Sequence, residues 1–329
     1  MISRRQVVLA LGSGALTAPL ASFAQQPSKF IKIGFLGVGV AEAPEFEDRL
    51  RALRAGLADL GYVEGKTIVI EYRWAEGKYD RLDTLAQELV RSQVAVIVTH
   101  TPPGVRAAKR ATSTIPIVIA ATGDAVVAGL VPNLARPGGN VTGLSFFGPE
   151  VTAKRLELLR ETLPKIQRVG VLFNPQSNYM AIDSKTVATV AQSLKVHIEQ
   201  FGVKDREEFA TAFAAMNKGR IDAIVVTDEL VMTTNATLIA DLAKKHRLPV
   251  IGAVALPAAG GLLGYGTNLV EMFRRSATYV DKILKGAKPG DLPIEQPTKF
   301  ELVVNFNTAK ALGAKIPQSV LQRADRVIE

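Results

Sequence analysis

Residues 31–72 read IKIGFLGVGVAEAPEFEDRLRALRAGLADLGYVEGKTIVIEY. The apolar run 31–38 is typical of a buried strand, and Gly61 stands where a left-handed helix cap is needed. Between them, apolar side chains recur at spacings of three and four residues, at Phe46, Leu50, Leu53, Leu57 and Leu60. Residues 67–72 then alternate in polarity, which predicts a second strand. A strand, a helix and another strand in succession predict a parallel unit.

The same rhythm of strands and helices continues along the chain. Further strands are predicted at 94–98, 115–120, 140–147, 169–173, 196–201, 223–227, 249–252 and 300–305. Further helices are predicted at 82–89, 105–111, 151–163, 182–194, 207–216, 234–246 and 269–284. Continuous apolar strands between helices indicate parallel sheets covered on both faces, and the strands are too numerous for one comfortable open sheet.

The fold class predicted from this pattern is α/β, with two doubly wound parallel-sheet lobes joined by a hinge. We expect the first lobe to comprise residues 28–146 and 268–298. The second lobe is expected to comprise residues 147–267 and 299–329. Each lobe is therefore predicted to be built from separate stretches of the chain, because the segment after the second lobe returns to the first.

Composition excludes several classes of protein. The chain has 329 residues, a formal net charge of +9 and no cysteine. The length predicts about two domains. Without cysteine the chain has no disulfide, zinc–thiolate site, iron–sulfur cluster or cysteine nucleophile. The basic doublets lie on separate predicted helices without interleaved aromatic residues, at Lys109–Arg110, Lys244–Lys245 and Arg274–Arg275. We therefore expect no nucleic-acid partner.

The N-terminus has the features of an export signal. Arg4–Arg5 precedes the uncharged, mainly apolar stretch 6–23, and small residues occupy the cleavage positions at Ser22 and Ala24. We expect residues 1–24 to be a signal peptide that is cleaved near Ala24 on export to the periplasm, by the Sec or the twin-arginine route. The alternative is an N-terminal membrane anchor.

A second uncharged stretch, 248–270, is long enough to cross a bilayer. Pro249, Pro257 and several glycines make it a poor helix. We therefore expect a strand, a loop and another strand here, with no membrane span.

The motifs of common enzymes are incomplete. Gly37-Val-Gly39 follows the first strand, but Glu42 stands where a dinucleotide-binding loop has its third glycine. Residues 143–147 lack the second glycine of a nucleophile elbow. The histidines are widely separated, at His100, His197 and His246. We expect no catalytic activity, no cofactor and no metal, with a hydrolase on a doubly wound scaffold as a distant alternative.

Ligands of open parallel sheets bind beyond the carboxyl ends of the strands. Polar and aromatic side chains collect in the loops that follow the predicted strands. We select as candidate ligand-binding residues His100, Thr101, Thr122, Asp124, Phe147, Asn174, Asn178, Tyr179, Asp228 and Tyr265. The alternative role for Thr101 and Thr122 is to cap helices.

Three long motifs are more specific, namely GYVEGKTIVIEYRWAEG at 61–77, LARPGGNVTGLS at 134–145 and LPIEQPTKFELVVN at 292–305. With them the chain resembles a family of exported ABC-transporter substrate-binding proteins of the tryptophan/tyrosine transport type. The resemblance implies a type I periplasmic binding fold with three hinge crossings, a small-molecule ligand and a permease partner in the inner membrane. Ala125 and Thr227 depart from the family, in which proline is common at these loops.

The expected function is capture of a small molecule by closure of the cleft, with amino acids, aromatic ones among them, as the expected ligand. We expect the ligand's carboxylate near Thr101 and Thr122, and its ammonium group paired with Asp228. Closure of the second lobe is expected to bring further contacts, from Asn174, Asn178 and Tyr179. A ligand sensor for a membrane signalling partner is the alternative that the same fold leaves open.

Overall fold

The computed structural model describes residues 30–146, 148–176 and 185–329. Its strands are β1 (Ile31–Gly37), β2 (Ile68–Trp74), β3 (Val96–His100), β4 (Ile117–Ala121), β5 (Val141–Gly143), β6 (Arg168–Phe173), β7 (His197–Gly202), β8 (Ala223–Val226), β9 (Val250–Gly252), β10 (Leu263–Gly266), β11 (Glu301–Asn305) and β12 (Arg326–Ile328). Its α-helices are α1 (Pro44–Asp59), α2 (Leu82–Arg91), α3 (Thr101–Ala111), α4 (Pro149–Thr162), α5 (Lys185–Ser193), α6 (Phe209–Lys218), α7 (Leu230–Thr234), α8 (Ala236–His246), α9 (Leu269–Leu284), α10 (Phe306–Leu312) and α11 (Gln318–Leu321). The predicted signal peptide, residues 1–24, lies outside the described residues.

The first sheet has five parallel strands in the order β2-β1-β3-β4-β5. Every residue of β3 is buried, because α2 and α3 cover one face of the sheet while α1 and α9 cover the other. Gly56 lets α1 and α9 pack closely, since a Cβ at that position would lie 2.5 Å from the carbonyl oxygen of Arg274. We call this sheet and these four helices the first lobe.

The second sheet has seven strands in the order β12-β11-β10-β9-β8-β6-β7. Neighbouring strands are parallel except at the pair β10–β11, which is antiparallel, so β11 and β12 run opposite to the other strands of this mainly parallel sheet. Gly266 at the end of β10 pairs with Glu301 at the start of β11. Because the chain returns from the first lobe beside the point where β10 ends, β11 runs back along it. This sheet and the helices α4–α8, α10 and α11 form the second lobe.

The chain passes between the lobes three times, before α4, after β10 and before β11. The first and third crossings are joined by backbone hydrogen bonds: the N–H of Ser145 donates to the carbonyl of Glu295 at 3.0 Å, and the N–H of Glu295 donates to that of Gly143 at 3.0 Å. The pair Gly266–Glu301 joins the second and third crossings. The crossings therefore lie side by side, and the predicted α/β class with two doubly wound lobes and a three-crossing hinge is confirmed.

The uncharged stretch 248–270 contains β9, a 3-10 turn at Leu256–Ala259 and β10, as the sequence predicts. Within the described residues, no helix is long and apolar enough to cross a membrane. The helix predicted at 234–246 corresponds to α8, whereas the short helix α7 that precedes it was not predicted.

Two glycine-containing segments have roles in packing. A Cβ on Gly37 would lie 2.2 Å from the Trp74 ring, and one on Gly39 would lie 2.4 Å from Phe46. The glycines of the incomplete dinucleotide motif therefore make room for aromatic rings. The strand predicted at 140–147 ends early, at Gly143, whose φ of 130° turns the backbone toward the hinge.

Candidate ligand-binding site

A cavity lies between the carboxyl ends of β3 and β4 in the first lobe and that of β8 in the second. It holds about 660 Å³ of space outside protein atoms, part of which is open to solvent. The first lobe lines it with Arg49, Tyr79, His100, Thr101, Pro102, Pro103, Ala121, Thr122, Gly123, Phe146, Leu269 and Phe273. The second lobe lines it with Asp228, Glu229, Leu230 and Thr233.

His100 is the last residue of β3, and its imidazole is almost fully buried. Its Nε2 accepts a hydrogen bond from the backbone N–H of Val38 at 3.2 Å. Burial, together with the charge of Arg49, lowers the pKa of His100 to about 3. The ring is therefore neutral, with its proton on Nδ1, and it adds no positive charge to the cavity.

The hydroxyl oxygens of Thr101 and Thr122 are buried in the cavity wall without a hydrogen-bond partner among the described residues. Neither therefore caps a helix. Thr101 also has a φ of 61°, a strained conformation for a β-branched residue. Each unsatisfied buried hydroxyl costs about 1–3 kcal/mol of folding free energy, a cost that a hydrogen bond to a ligand atom would remove.

Asp228 lines the cavity, but its carboxylate already has a partner. The guanidinium of Arg155 is completely buried, and its Nη2 donates to Asp228 Oδ1 at 2.8 Å. The other Arg155 nitrogens donate to backbone carbonyls, Nε to Tyr265 at 2.8 Å and Nη1 to Val226 at 2.9 Å. Asp228 is thus the counter-ion of a buried arginine, because an unpaired guanidinium at this depth is costly, and its pairing with a ligand ammonium group stays a prediction.

Glu229, which the sequence analysis does not select, is the other carboxyl group in the cavity wall. It is only 7% exposed. The Thr227 hydroxyl lies within hydrogen-bond reach of Glu229 Oε2, and the backbone N–H of Asn174 donates to Oε1 at 3.4 Å. Burial raises the pKa of Glu229 to about 7. The signal that would have found it is its position directly after Asp228 at the end of β8.

Arg49 is a second residue that the sequence analysis misses. Its side chain is 8% exposed, and its guanidinium carbon lies 5.1 Å from the centre of the Phe46 ring. The signal was present in the helical spacing, because Arg49 follows Phe46 by three residues and precedes Leu53 by four. It therefore belongs to the face of α1 that points inward.

Three of the selected residues have other roles. Asp124 Oδ1 accepts from the N–H groups of Val126 and Val127 at 2.9 and 3.0 Å, which stabilises a turn outside the cavity lining. The Tyr265 ring stacks on Phe300 with 5.9 Å between centres, also outside that lining. Asn174 is buried, and its backbone N–H donates to Glu229. Its side-chain Oδ1 accepts from the N–H of Gln176 at 2.8 Å. The predicted ligand contacts of these three residues stay predictions.

The remaining selected residues, Phe147, Asn178 and Tyr179, lie outside the described residues. Within the described part of the chain, no group of three or more His, Asp or Glu side chains is arranged to hold a metal ion.

Comparisons with known proteins agree with this geometry. The family model for ABC transporter substrate binding proteins matches residues 38–328. A tyrosine-binding protein from Clostridioides difficile is 26% identical over 274 residues, which cover 83% of this chain and 79% of the relative.

Solved structures are also similar. An ABC domain from Streptococcus pneumonia in complex with L-Trp has a TM-score of 0.82 and 26% identity, covering 90% of this chain and 100% of that one. A conserved domain protein from Vibrio cholerae has a TM-score of 0.85 and 29% identity, covering 91% and 100%. The ligand-free, open structure of a substrate binding protein with adhesive properties from Clostridium difficile has a TM-score of 0.66 and 25% identity, covering 90% and 99%. With its two-lobed fold, its three hinge crossings and a family match over most of its length, the chain belongs to the family of ABC transporter substrate-binding proteins.

Proposed function

We propose that this protein is exported to the periplasm, captures an aromatic amino acid between its lobes and delivers it to the permease of an ABC importer. The observation that carries the proposal is the pair of buried, unpartnered hydroxyls at Thr101 and Thr122, which face a cavity that both lobes line. The similarity to a tyrosine-binding protein and to an L-Trp complex supports the choice of ligand. Residues 1–24 serve as the cleaved signal peptide in this proposal.

The first lobe suits the carboxylate of an amino acid. Residues at the start of α3 include Pro102 and Pro103, which lack an N–H group, so the helix offers fewer backbone donors than most. The hydroxyls of Thr101 and Thr122 supply donors in their place, and the Arg49 guanidinium lines the same cavity. Hydrogen bonds from neutral and cationic donors to a carboxylate are the stronger kind.

The apolar part of the lining suits an aromatic side chain. The rings of Phe146, Phe273 and Tyr79 and the side chain of Leu230 line the cavity. Aromatic ligands gain both from buried area and from edge and face contacts with such rings. These side chains come from both lobes, so a bound ring would be enclosed only when the lobes are together.

The proposed mechanism is closure of the lobes around the ligand. A ligand shifts the balance toward the closed state only because that state contacts it from both sides. The lobes of this chain superpose better on the L-Trp complex than on the ligand-free, open relative, with TM-scores of 0.82 and 0.66 at similar identity. The closed form then presents one surface made of both lobes to the permease.

Calorimetric titration of the protein with L-tryptophan and L-tyrosine tests the proposal. We expect saturable binding of at least one of them, and a thermal shift, since saturation at 100 times Kd adds about 2.7 kcal/mol of stability. Thr122→Val should weaken binding about tenfold, because it removes a donor at nearly constant volume. Thr162→Val is the matched control, since that buried hydroxyl bonds only within α4, to the carbonyl of Leu158. No binding of any amino acid at millimolar concentration would overturn the proposal.

A further inference from the structure

We infer that Glu229 is the group that selects ligands with a cationic amine, and that it is a neutral carboxylic acid in the empty cavity, so that binding such a ligand releases one proton to solvent. This inference rests on the proposed function. It assigns to Glu229 the role in ligand recognition that the sequence pattern assigns to Asp228.

The first argument is the number of protons available around Thr227. Its Oγ1 lies 2.9 Å from the carbonyl oxygen of Leu172 and is also within hydrogen-bond reach of Glu229 Oε2. A threonine hydroxyl has one proton and can donate to only one of these two acceptors. Both contacts are hydrogen bonds if Glu229 carries a proton and donates it to Thr227, while Thr227 donates to Leu172. The geometry thus suits the protonated acid.

The second argument concerns the charges that face Glu229. Asp228 is adjacent and negative, and Arg155 already neutralises it at 2.8 Å. From the first lobe, Arg49, His100 and Tyr79 line the same cavity. His100 is neutral, and burial raises the pKa of Tyr79 above its usual value, so Tyr79 is uncharged as well.

Arg49 is the cationic side chain among these residues, and it belongs to the first-lobe wall. The desolvated position of Glu229 agrees with a neutral acid, because burial raises its pKa to about 7.

The third argument is what an arriving ammonium group changes. A cation within about 4 Å favours the charged form of a carboxyl group. Glu229–COOH then loses its proton to solvent, and the carboxylate accepts an N–H from the ligand's ammonium group while keeping the Asn174 N–H. The hydrogen bond from Glu229 to Thr227 is lost with that proton, and the ligand's N–H takes its place on the carboxylate. Ligands without a cationic amine cannot drive this ionisation, so the cavity discriminates against them.

Calorimetry with L-tryptophan in buffers of different ionisation enthalpy measures the protons released. We expect up to one proton released per ligand at pH 6, little release at pH 8, and binding about tenfold weaker at pH 6 than at pH 8, since one deprotonation below pH 7 opposes binding. Glu229→Gln should bind L-tryptophan more weakly than wild type at pH 8, with no proton release. Its affinity for the des-amino analogue indole-3-propionate should be unchanged.

Infrared difference spectra of the ligand-free protein between pH 6 and pH 8 provide a measurement that needs no ligand. The carbonyl stretch of a protonated carboxylic acid should be lost on raising the pH in wild type and absent from the difference spectrum of Glu229→Gln.

Equal affinity at pH 6 and pH 8 without proton release would overturn this inference while leaving the proposed function intact. An unchanged infrared spectrum in this band would overturn it too. Failure of L-tryptophan and of every other amino acid to bind at pH 8 would overturn the proposed function itself, and the role of Glu229 in ligand selection with it.

Discussion

The first-lobe wall and the second-lobe wall of the cavity bury different kinds of polar group. The first presents the hydroxyls of Thr101 and Thr122 without partners, beside the neutral ring of His100. The second presents Asp228, which is already paired with Arg155, and Glu229, which is hydrogen-bonded to its own lobe. The first wall is thus incomplete until a ligand arrives, whereas the second is satisfied and changes only its proton count.

This difference shows how one cavity can hold a zwitterion without exposing opposite free charges to each other. Uncompensated buried charges are expensive, so the second wall pairs one carboxyl group and protonates the other. A buried neutral hydroxyl without a hydrogen-bond partner costs less free energy than a buried charge without a counter-ion. The first wall can therefore contain two such hydroxyls in the absence of ligand.

The largest expected effect breaks the pairing in the second wall. Arg155→Met leaves Asp228 without its partner and removes two further hydrogen bonds, so we expect a loss of about 3–5 kcal/mol in the free energy of unfolding by urea. Arg168→Met is the control, since Arg168 also contacts a carboxylate, Glu199, at 2.8 Å but is 42% exposed. That variant should lose less than about 1 kcal/mol. A similar loss in both variants would contradict the structural role of the Arg155–Asp228 pair.

Glu229 should make the empty protein less stable as the pH rises. Its pKa is about 7 when folded and 4.5 ordinarily, so the folded state holds an extra proton between these values. The resulting stability is present below pH 4.5 and is lost as the pH rises through 7, by about 3 kcal/mol. Glu229→Gln should lack this loss when urea unfolding is measured at pH 5 and pH 8. An unchanged difference between the two pH values would show that Glu229 does not titrate in this range.

His100 should have the opposite effect. Its pKa is lowered from 6.5 to about 3, so the unfolded state takes up a proton first and stability falls as the pH drops below 6.5, by about 2 kcal/mol at pH 5. The contributions of Glu229 and His100 to the pH dependence of stability therefore nearly cancel in the wild type between pH 5 and pH 8. Relative to wild type, His100→Gln should therefore gain about 2 kcal/mol of stability in urea unfolding as the pH falls from 8 to 5, while His246→Gln, on α8, should follow wild type. Parallel curves for both variants would contradict the prediction.

The smallest expected effect concerns a residue that the sequence places in the site. Asp124→Ala removes the acceptor for the N–H groups of Val126 and Val127 and should cost about 1 kcal/mol of stability. Affinity for L-tryptophan should not change, because Asp124 lies outside the cavity lining. A large loss of affinity without loss of stability would show that Asp124 contacts the ligand.

Local pattern was enough to predict most of the fold. Buried strands such as β3 and amphipathic helices such as α1 have apolar spacing that sequence shows directly. The reversal of β11 was not predictable in this way, because it depends on where the third crossing meets β10. The short helix α7 was also missed, because five residues are too few to show a helical apolar spacing.

The sequence predicted which residues lie at the strand ends that form the site. It did not predict interactions between residues that are far apart in the sequence. His100, Thr101, Thr122 and Asp228 all line the cavity, as the rule for parallel sheets predicts. The partner of Asp228 is 73 residues away along the chain, so its pairing with Arg155 could not be inferred from spacing. The charge state of Glu229 depends on burial by both lobes, which no local pattern contains.

The close packing of α1 on α9 has a consequence for the timing of folding. The apolar face of α1 is covered by a helix that begins at Leu269, and the second sheet is incomplete until β11 and β12 exist. The face of the first sheet that α1 covers is therefore incomplete until α9 has been made. At a synthesis rate of about 5–20 residues per second, α1 exists for roughly 10 to 40 seconds before α9 does. During that time its apolar face has no partner helix, and the folding of this half of the first lobe follows synthesis of α9.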